Sequence, residues 1–273
     1  MSSDLTIHLP ASPVPSGLVA RWIFARRGYN KEFMDLHRQI LPVTLAGGVC
    51  VITGGMAWAV RGRSSSVFGA SVWRGPRERR AVALTFDDGP SEQTPQILEI
   101  LARHGVTATF FQCGANVERL PAVARAVHQA GHEIGNHSHT HPMLCFRSAE
   151  FIACELARAQ EAIALCTGTQ PRWFRAPFGV RWFGMREAQA ALGLTGVMWT
   201  VIGYDWKLKA NAVVKRMAGG AANGAILCLH DGRELRAGPD IGATVEAVRS
   251  LVPLLLDRGY EFETVSRLLC PTN

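Results

Sequence analysis

The stretch Ala81-Val82-Ala83-Leu84-Thr85-Phe86-Asp87-Asp88-Gly89-Pro90 decides the reading of the fold. Ala81 to Phe86 is a short, mostly apolar run, the pattern of a strand buried on both faces. Two adjacent carboxylates follow at once, and Gly89 and Pro90 turn the chain. Neighbouring carboxylates repel each other unless a cation or a proton intervenes. The pair therefore reads either as a solvated turn or as one metal ligand beside one base.

Downstream of this strand, two kinds of pattern alternate. Residues 94–104 have helical periodicity and end at Gly105, residues 106–111 read as a second strand, and residues 117–130 read as a helix stopped by Gly131. Residues 148–166 form a long amphipathic pattern with Ser148 as its cap. Residues 196–201 and 225–229 are strand-like, and 245–256 is a helix containing Pro253. Strands alternating with helices imply a parallel sheet or a βα barrel, with the chemistry at the carboxyl ends of the strands.

Upstream, the chain changes character. Residues 1–39 combine a polar, proline-containing tail with a mixed apolar and basic stretch around Trp22, Ile23 and Phe24, a candidate interfacial amphipathic helix. Residues 40–60 contain no charged side chain and are long enough, as a helix, to span a hydrocarbon core. They are read as a single transmembrane anchor in a bacterial-type inner membrane. Basic residues are nearly balanced on its two sides, so the positive-inside rule does not orient it. Residues 61–79 are rich in Ser, Gly and Arg and read as a linker to a catalytic domain over 80–269.

With 273 residues, 48% of them hydrophobic and 19% charged, the chain can bury a substantial core. A net charge of +7 is compatible with nucleic acid, anionic lipid or an acidic glycan. No basic-aromatic module of a nucleic-acid binder occurs, which excludes nucleic acid as the expected partner. Seven cysteines without a CxxC pair are neither a disulfide framework nor a zinc finger and read as small buried residues.

The chemistry concentrates in five places. After Asp87-Asp88 comes His132 to Pro142, with four histidines in eleven residues. His137 and His141 are four apart and would share one face of a helical turn. Two imidazoles with one carboxylate make a common catalytic zinc set that leaves a position open, and His132 and His139 are left to supporting or surface roles. Next come Arg175-Ala176-Pro177-Phe178-Gly179, then Tyr204-Asp205-Trp206, then Leu227-Cys228-Leu229-His230-Asp231. An amidohydrolase-type His-x-His pair also fits His137 to His141, although Gly135, Asn136 and Pro142 disfavour the strand it requires.

In this order, TFDDGP, HSHTH, RAPF and LHD resemble the polysaccharide deacetylase (NodB-homology) family over roughly residues 80–269. The resemblance implies a distorted (β/α) barrel with fewer than eight strands, preceded here by the membrane-anchor extension. It implies hydrolysis of a linear amide: removal of N-acetyl, or O-acetyl, groups from an amino-sugar polysaccharide or oligosaccharide. By the same resemblance Asp87 is the general base, His230 the general acid, Arg175 the residue orienting the base and Asp205 the carboxylate tuning the acid. Asp88, His137 and His141 are implied as ligands of a divalent ion, zinc first, with cobalt and nickel as alternatives. Phe178, Trp206 and Pro177 are implied in substrate binding. Three positions depart from the family pattern: Ile202 in place of an aspartate, Phe178 in place of a tyrosine, and Cys228 in place of a leucine. The alternatives are a deacylase or deformylase of a lipid-linked amino sugar, and a catalytically silent glycan-binding protein.

Overall fold

A computed structural model describes residues 51–270. The candidate amphipathic helix, Cys50 and residues 40–50 of the candidate anchor lie outside them. Residues 51–61 are helical, and among the described residues no helix is long and apolar enough to cross a membrane.

From Gly55 onward the chain forms one compact unit. Its strands are β1 (Ser71–Val72), β2 (Ala81–Gly89), β3 (Thr109–Gln112), β4 (Glu133–Asn136), β5 (Trp173–Phe174), β6 (Thr195–Val197), β7 (Val201–Ile202), β8 (Ala225–His230) and β9 (Glu261–Phe262). The helices are α1 (Thr94–Arg103), α2 (Gly114–Arg119), α3 (Pro121–Gln129), α4 (Ala149–Thr167), α5 (Met185–Leu192), α6 (Ala210–Gly220), α7 (Gly242–Asp257) and α8 (Val265–Leu269). The strands pair in the order β1-β6-β5-β4-β3-β2-β8-β7, with β9 beside β2, and every ladder between them is parallel. The expected barrel is therefore an open half-barrel whose edges are β1 and β7. It has nine strands rather than fewer than eight, because short edge pairings add to the main run.

Central position explains the composition of β2. Strands β3 and β8 flank it, helices cover the sheet, and all nine of its residues are buried. Leu84 and Phe86 pack with Ile97 and Leu101 of α1 and with Val248 and Leu251 of α7 in the largest core cluster. A fully buried side chain of this kind is worth about 1.5–3 kcal/mol, so β2 is a stiff base for the carboxylates at its end.

Several local expectations change. Strand β2 runs three residues past Phe86, so Asp87 and Asp88 belong to it and are not a solvated turn. The helix expected over 117–130 is two helices, because Pro121 begins a new one. The strand expected over 196–201 is likewise two, β6 and β7. The expected linker 61–79 is built into the catalytic unit: β1 pairs with β6, Phe68 is buried, and Arg74 bridges to Ala225. Its few apolar residues, dispersed among Ser and Arg, gave no periodicity to read.

Candidate active site

Parallel register brings the strand ends together. Asp87 is level with Phe111 of β3 and His230 of β8, Gln112 with Asn136 of β4, and Asn136 with Phe174 of β5. The residues that follow β4 and β5, His137 and Arg175, therefore emerge at the same rim as the two carboxylates. His137 and the carboxylates border a cavity of about 570 Å³ lined by Asp87, Asp88, His137, His141, Phe178, Trp206 and His230, among others, and Arg175 is buried behind its wall.

Asp88 turns into this cavity with φ 72°. Its Oδ1 lies 3.3 Å from His137 Nε2 and 3.1 Å from His141 Nε2. These three donor atoms lie within 4.8 Å of one another, and all three residues are buried. Burial opposes ionisation of Asp88, but the two imidazoles and the positive charge of His230 hold its carboxyl well below the usual range. His137 Nδ1 lies 2.6 Å from the Arg175 carbonyl, so Nδ1–H donates to it and the Nε2 lone pair faces Asp88. One ionised carboxylate and two imidazoles converging in this way fit a divalent cation.

His137 and His141 do not share a helical turn. They lie on a loop after β4 in which Ser138 (φ 62°) and His141 (φ 55°) both take left-handed conformations, and this brings the rings to 5.0 Å. Glu155 of α4 holds the loop by accepting from the His139 and Thr140 amides and the Thr140 hydroxyl. Among the described residues no strand carries a His-x-His pair, because β4 ends at Asn136. His132 and His139 are both buried. The first accepts from the Ala108 amide, and the second has Nε2 3.7 Å from Glu118, away from the three-donor cluster.

Asp87 is held from the other side. Arg175, fully buried, donates from Nη1 to Asp87 Oδ1 at 2.6 Å and to Thr85 Oγ1 at 2.8 Å, and from Nε to the Val197 carbonyl at 3.1 Å. Its guanidinium carbon stands 4.1 Å from the Phe111 ring centroid. Cys228 Sγ–H donates to Asp87 Oδ2 at 3.4 Å. Cys228 therefore sits behind the carboxylate and not on the cavity wall, so this departure bears on Asp87 rather than on the acyl pocket. Burial, reinforced by the Asp87 charge, pushes the Cys228 thiol well above its ordinary range. Cys113 is buried as well, but Cys154 and Cys270 are exposed, so the cysteines are not uniformly core residues.

Beside Asp87, at the end of β8, is His230. Its Nδ1 lies 2.9 Å from Asp205 Oδ1, and Asp205 Oδ2 accepts from the His230 amide and from Thr244 Oγ1 at 2.6 Å. Burial pulls the imidazole pKa down, but the Asp205 charge and hydrogen bond outweigh it and raise the pKa to about 9. Trp206 stands edge-on to the ring at 4.8 Å. Phe178 (φ 56°) lies in a short 3₁₀ turn begun by Pro177, and its ring meets His141 at 4.7 Å. Pro177 shapes that turn from a buried position and is not on the cavity wall. Ile202 does line the cavity.

Sequence reasoning missed several contributors. Asn116 donates to the carbonyls of Asp88 and Glu234, and the Glu234 amide donates to Asp88 Oδ2. Thr244 on α7 and Trp199 on the cavity wall had no local signal. Thr85 did have one: in a strand it faces the same side as Asp87.

A polysaccharide deacetylase family model matches residues 74–197. The peptidoglycan-N-acetylglucosamine deacetylase PgdA of Listeria monocytogenes is 34% identical over 238 residues, covering 84% of this chain and 48% of that protein. The chain thus spans about half the length of that relative. A chitooligosaccharide deacetylase of Bradyrhizobium sp. is 36% identical over 198 residues, covering 69% of this chain and 90% of the relative. Among solved structures, the Bc1960 peptidoglycan N-acetylglucosamine deacetylase superposes with a TM-score of 0.70 at 29% identity, covering 75% of this chain and 94% of that one.

Proposed function

The chain belongs to the polysaccharide deacetylase family, and on that premise we propose that it is a hydrolase removing N-acetyl groups from an N-acetylglucosamine-containing glycan. The observation that carries the reading is that one cavity gathers Asp87 held by Arg175, His230 held by Asp205 with donor atoms of the two within 4.8 Å, and the Asp88-His137-His141 donor set. A carboxylate fixed by a guanidinium beside an imidazole held protonated by a second carboxylate is the arrangement of a base and an acid.

Asp88, His137 and His141 would hold the cation, with zinc as the first choice for a carboxylate and two imidazoles. When bound, such an ion supplies Lewis acidity toward the acyl oxygen and makes water a better nucleophile. Asp87 Oδ2 then accepts the proton of the attacking water while Arg175 fixes the carboxylate through Oδ1. Water oxygen bonds to the acyl carbon, the C–N bond breaks, and His230 Nε2 gives its proton to the leaving amine. The Phe178 backbone amide is assigned to the oxyanion, and Trp206 with Ile202 to the walls around the acyl group. A general acid or base of this kind contributes about 10²–10⁴ in rate. The same proposal keeps the chain at a membrane through residues 40–60.

The test is acetate release from N-acetylglucosamine oligomers by the full chain, with and without a chelator, with zinc restored, beside Asp87→Ala. Release that is lost to the chelator, regained with zinc and absent in the variant supports the reading. A folded, metal-loaded chain that releases nothing from these oligomers but deacylates a lipid-linked amino sugar moves the substrate to that class. A chain that neither binds metal nor releases acyl groups from either substrate leaves only a glycan-binding role.

A further inference from the structure

Among the described residues, five of the non-glycine positions with positive φ line the catalytic cavity, and a sixth, Ser138, lies between His137 and His139. Strain of this kind persists where the surroundings fix it and function uses it. The seventh position is Phe146, with φ 64°, outside that cavity and 83% exposed. Its ring lies 4.6 Å from Trp182, which lies 5.3 Å from Phe183, which in turn covers the buried Phe68 at 4.8 Å. Phe183 is itself 59% exposed. A contiguous aromatic surface of this sort marks an interaction site, whereas a single exposed ring would not.

What surrounds the patch identifies its partner. Arg181, directly before Trp182, is buried and donates to the carbonyls of Val60, Gly62 and Ser65. This staples the patch to the end of the helical stretch that runs to residue 61 and carries no charge from 51 through 60. In that stretch Met56 and Trp58 are exposed. Exposed Arg147 and Arg186 flank the patch and exposed Arg61 and Arg63 follow the helical stretch; exposed Glu150 and Glu187 lie nearby in the chain, but among the described residues no ion pair links a carboxylate to any of these four arginines. Aromatic rings between an apolar lead-in and unneutralised arginines suit the headgroup region of an anionic bilayer. The rings meet at 57°, 86° and 71°, so they do not form the flat platform on which sugar rings stack.

We propose that this arginine-fringed aromatic surface docks on anionic phospholipid and so holds the lip of the catalytic cavity at headgroup level. Arg61, the first residue past the uncharged stretch, lines that cavity and donates to the Phe178 carbonyl at 3.5 Å. The acyl sugars within reach are then those presented at the membrane face. This last consequence rests on the proposed hydrolase activity; the docking itself does not.

Amide hydrogen exchange of the full chain tests the docking. It is measured in vesicles of phosphatidylglycerol with phosphatidylcholine, in vesicles of phosphatidylcholine alone, and without lipid. Exchange over 143–147 and 180–186 is expected to slow about tenfold in the anionic vesicles, the scale that burial of one phenylalanine ring supplies, while α6 is unchanged. Phe146→Ser combined with Phe183→Ser should abolish the slowing, and Phe146→Ser alone, at an exposed position, should weaken it in a chain that folds normally. Unchanged exchange in the anionic vesicles overturns the proposal. So does slowing produced without lipid, whether by a chitooligosaccharide, which assigns the patch to glycan, or by raised protein concentration, which assigns it to a second copy.

Discussion

Burial favours the neutral ring of His230, while Asp205 first and then the Asp88 and Asp87 charges favour the cation, and these prevail to give a pKa of about 9. A general acid works only while protonated, so the rate should hold through neutral pH and fall as pH rises through about 9. In Asp205→Asn the largest raising influence is gone while burial remains, so the imidazole pKa should fall. The alkaline limb of the rate–pH profile should then move to lower pH, and a limb that stays in place refutes the assignment. Arg175 belongs to the same scale. Arg175→Met leaves Asp87 buried without its partner, and such a loss costs about 3–5 kcal/mol, measurable as a lower urea midpoint. His141→Ala removes one of three donors, and calorimetric titration with zinc should show strong binding at the Asp88-His137-His141 set lost, with the fold retained because His141 lies on a loop.

At the scale of elements, β2 does two jobs: its apolar length anchors the sheet and its end presents both carboxylates. Gly89 allows this. A Cβ there would stand 2.2 Å from Asp231 Oδ2, and Asp231 is fixed by Thr94 Oγ1 at 2.7 Å in a pocket where burial raises its pKa to about 7. Gly89→Ala should therefore cost about 1–3 kcal/mol by overpacking and, by displacing the end of β2, lower the rate more than the metal affinity of the folded fraction. Helix α4 depends on Ser148, whose Oγ accepts from the Phe151 amide. Ser148→Ala should lower stability by about 1 kcal/mol with no change in pH profile, because the cap is remote from both proton-transfer groups.

For the whole molecule, residues 55–73 belong to the same compact unit as the strands that carry the site. A chain starting at Arg74 lacks buried Phe68, strand β1 and the three carbonyls that Arg181 bonds. Compared with a chain starting at Gly55, it should lose at least about 2 kcal/mol, visible as a lower midpoint of thermal unfolding. Equal midpoints would return residues 61–73 to the status of a linker.

The sequence by itself singled out the candidate residues that the structure gathers at one rim, and some of the strands that precede them. Asp87, Asp88 and His230 each directly follow, or end, an apolar run whose period is local and readable, whereas the two-residue strand before Arg175 is too short to show one. It also determined that the architecture is parallel α/β, because strand and helix periods alternate along the chain. Only the tertiary structure decided that the sheet stays open, since closure depends on which distant strands become edges. It alone turned His137 and His141 toward Asp88 through left-handed loop residues rather than a helix, because Glu155, from a later helix, fixes that loop. Cys228 behind Asp87, Thr244 on Asp205 and the packing of residues 61–73 were equally illegible. Each contact joins residues far apart in the chain, and pairwise proximity of that kind is set by register and packing, not by local pattern.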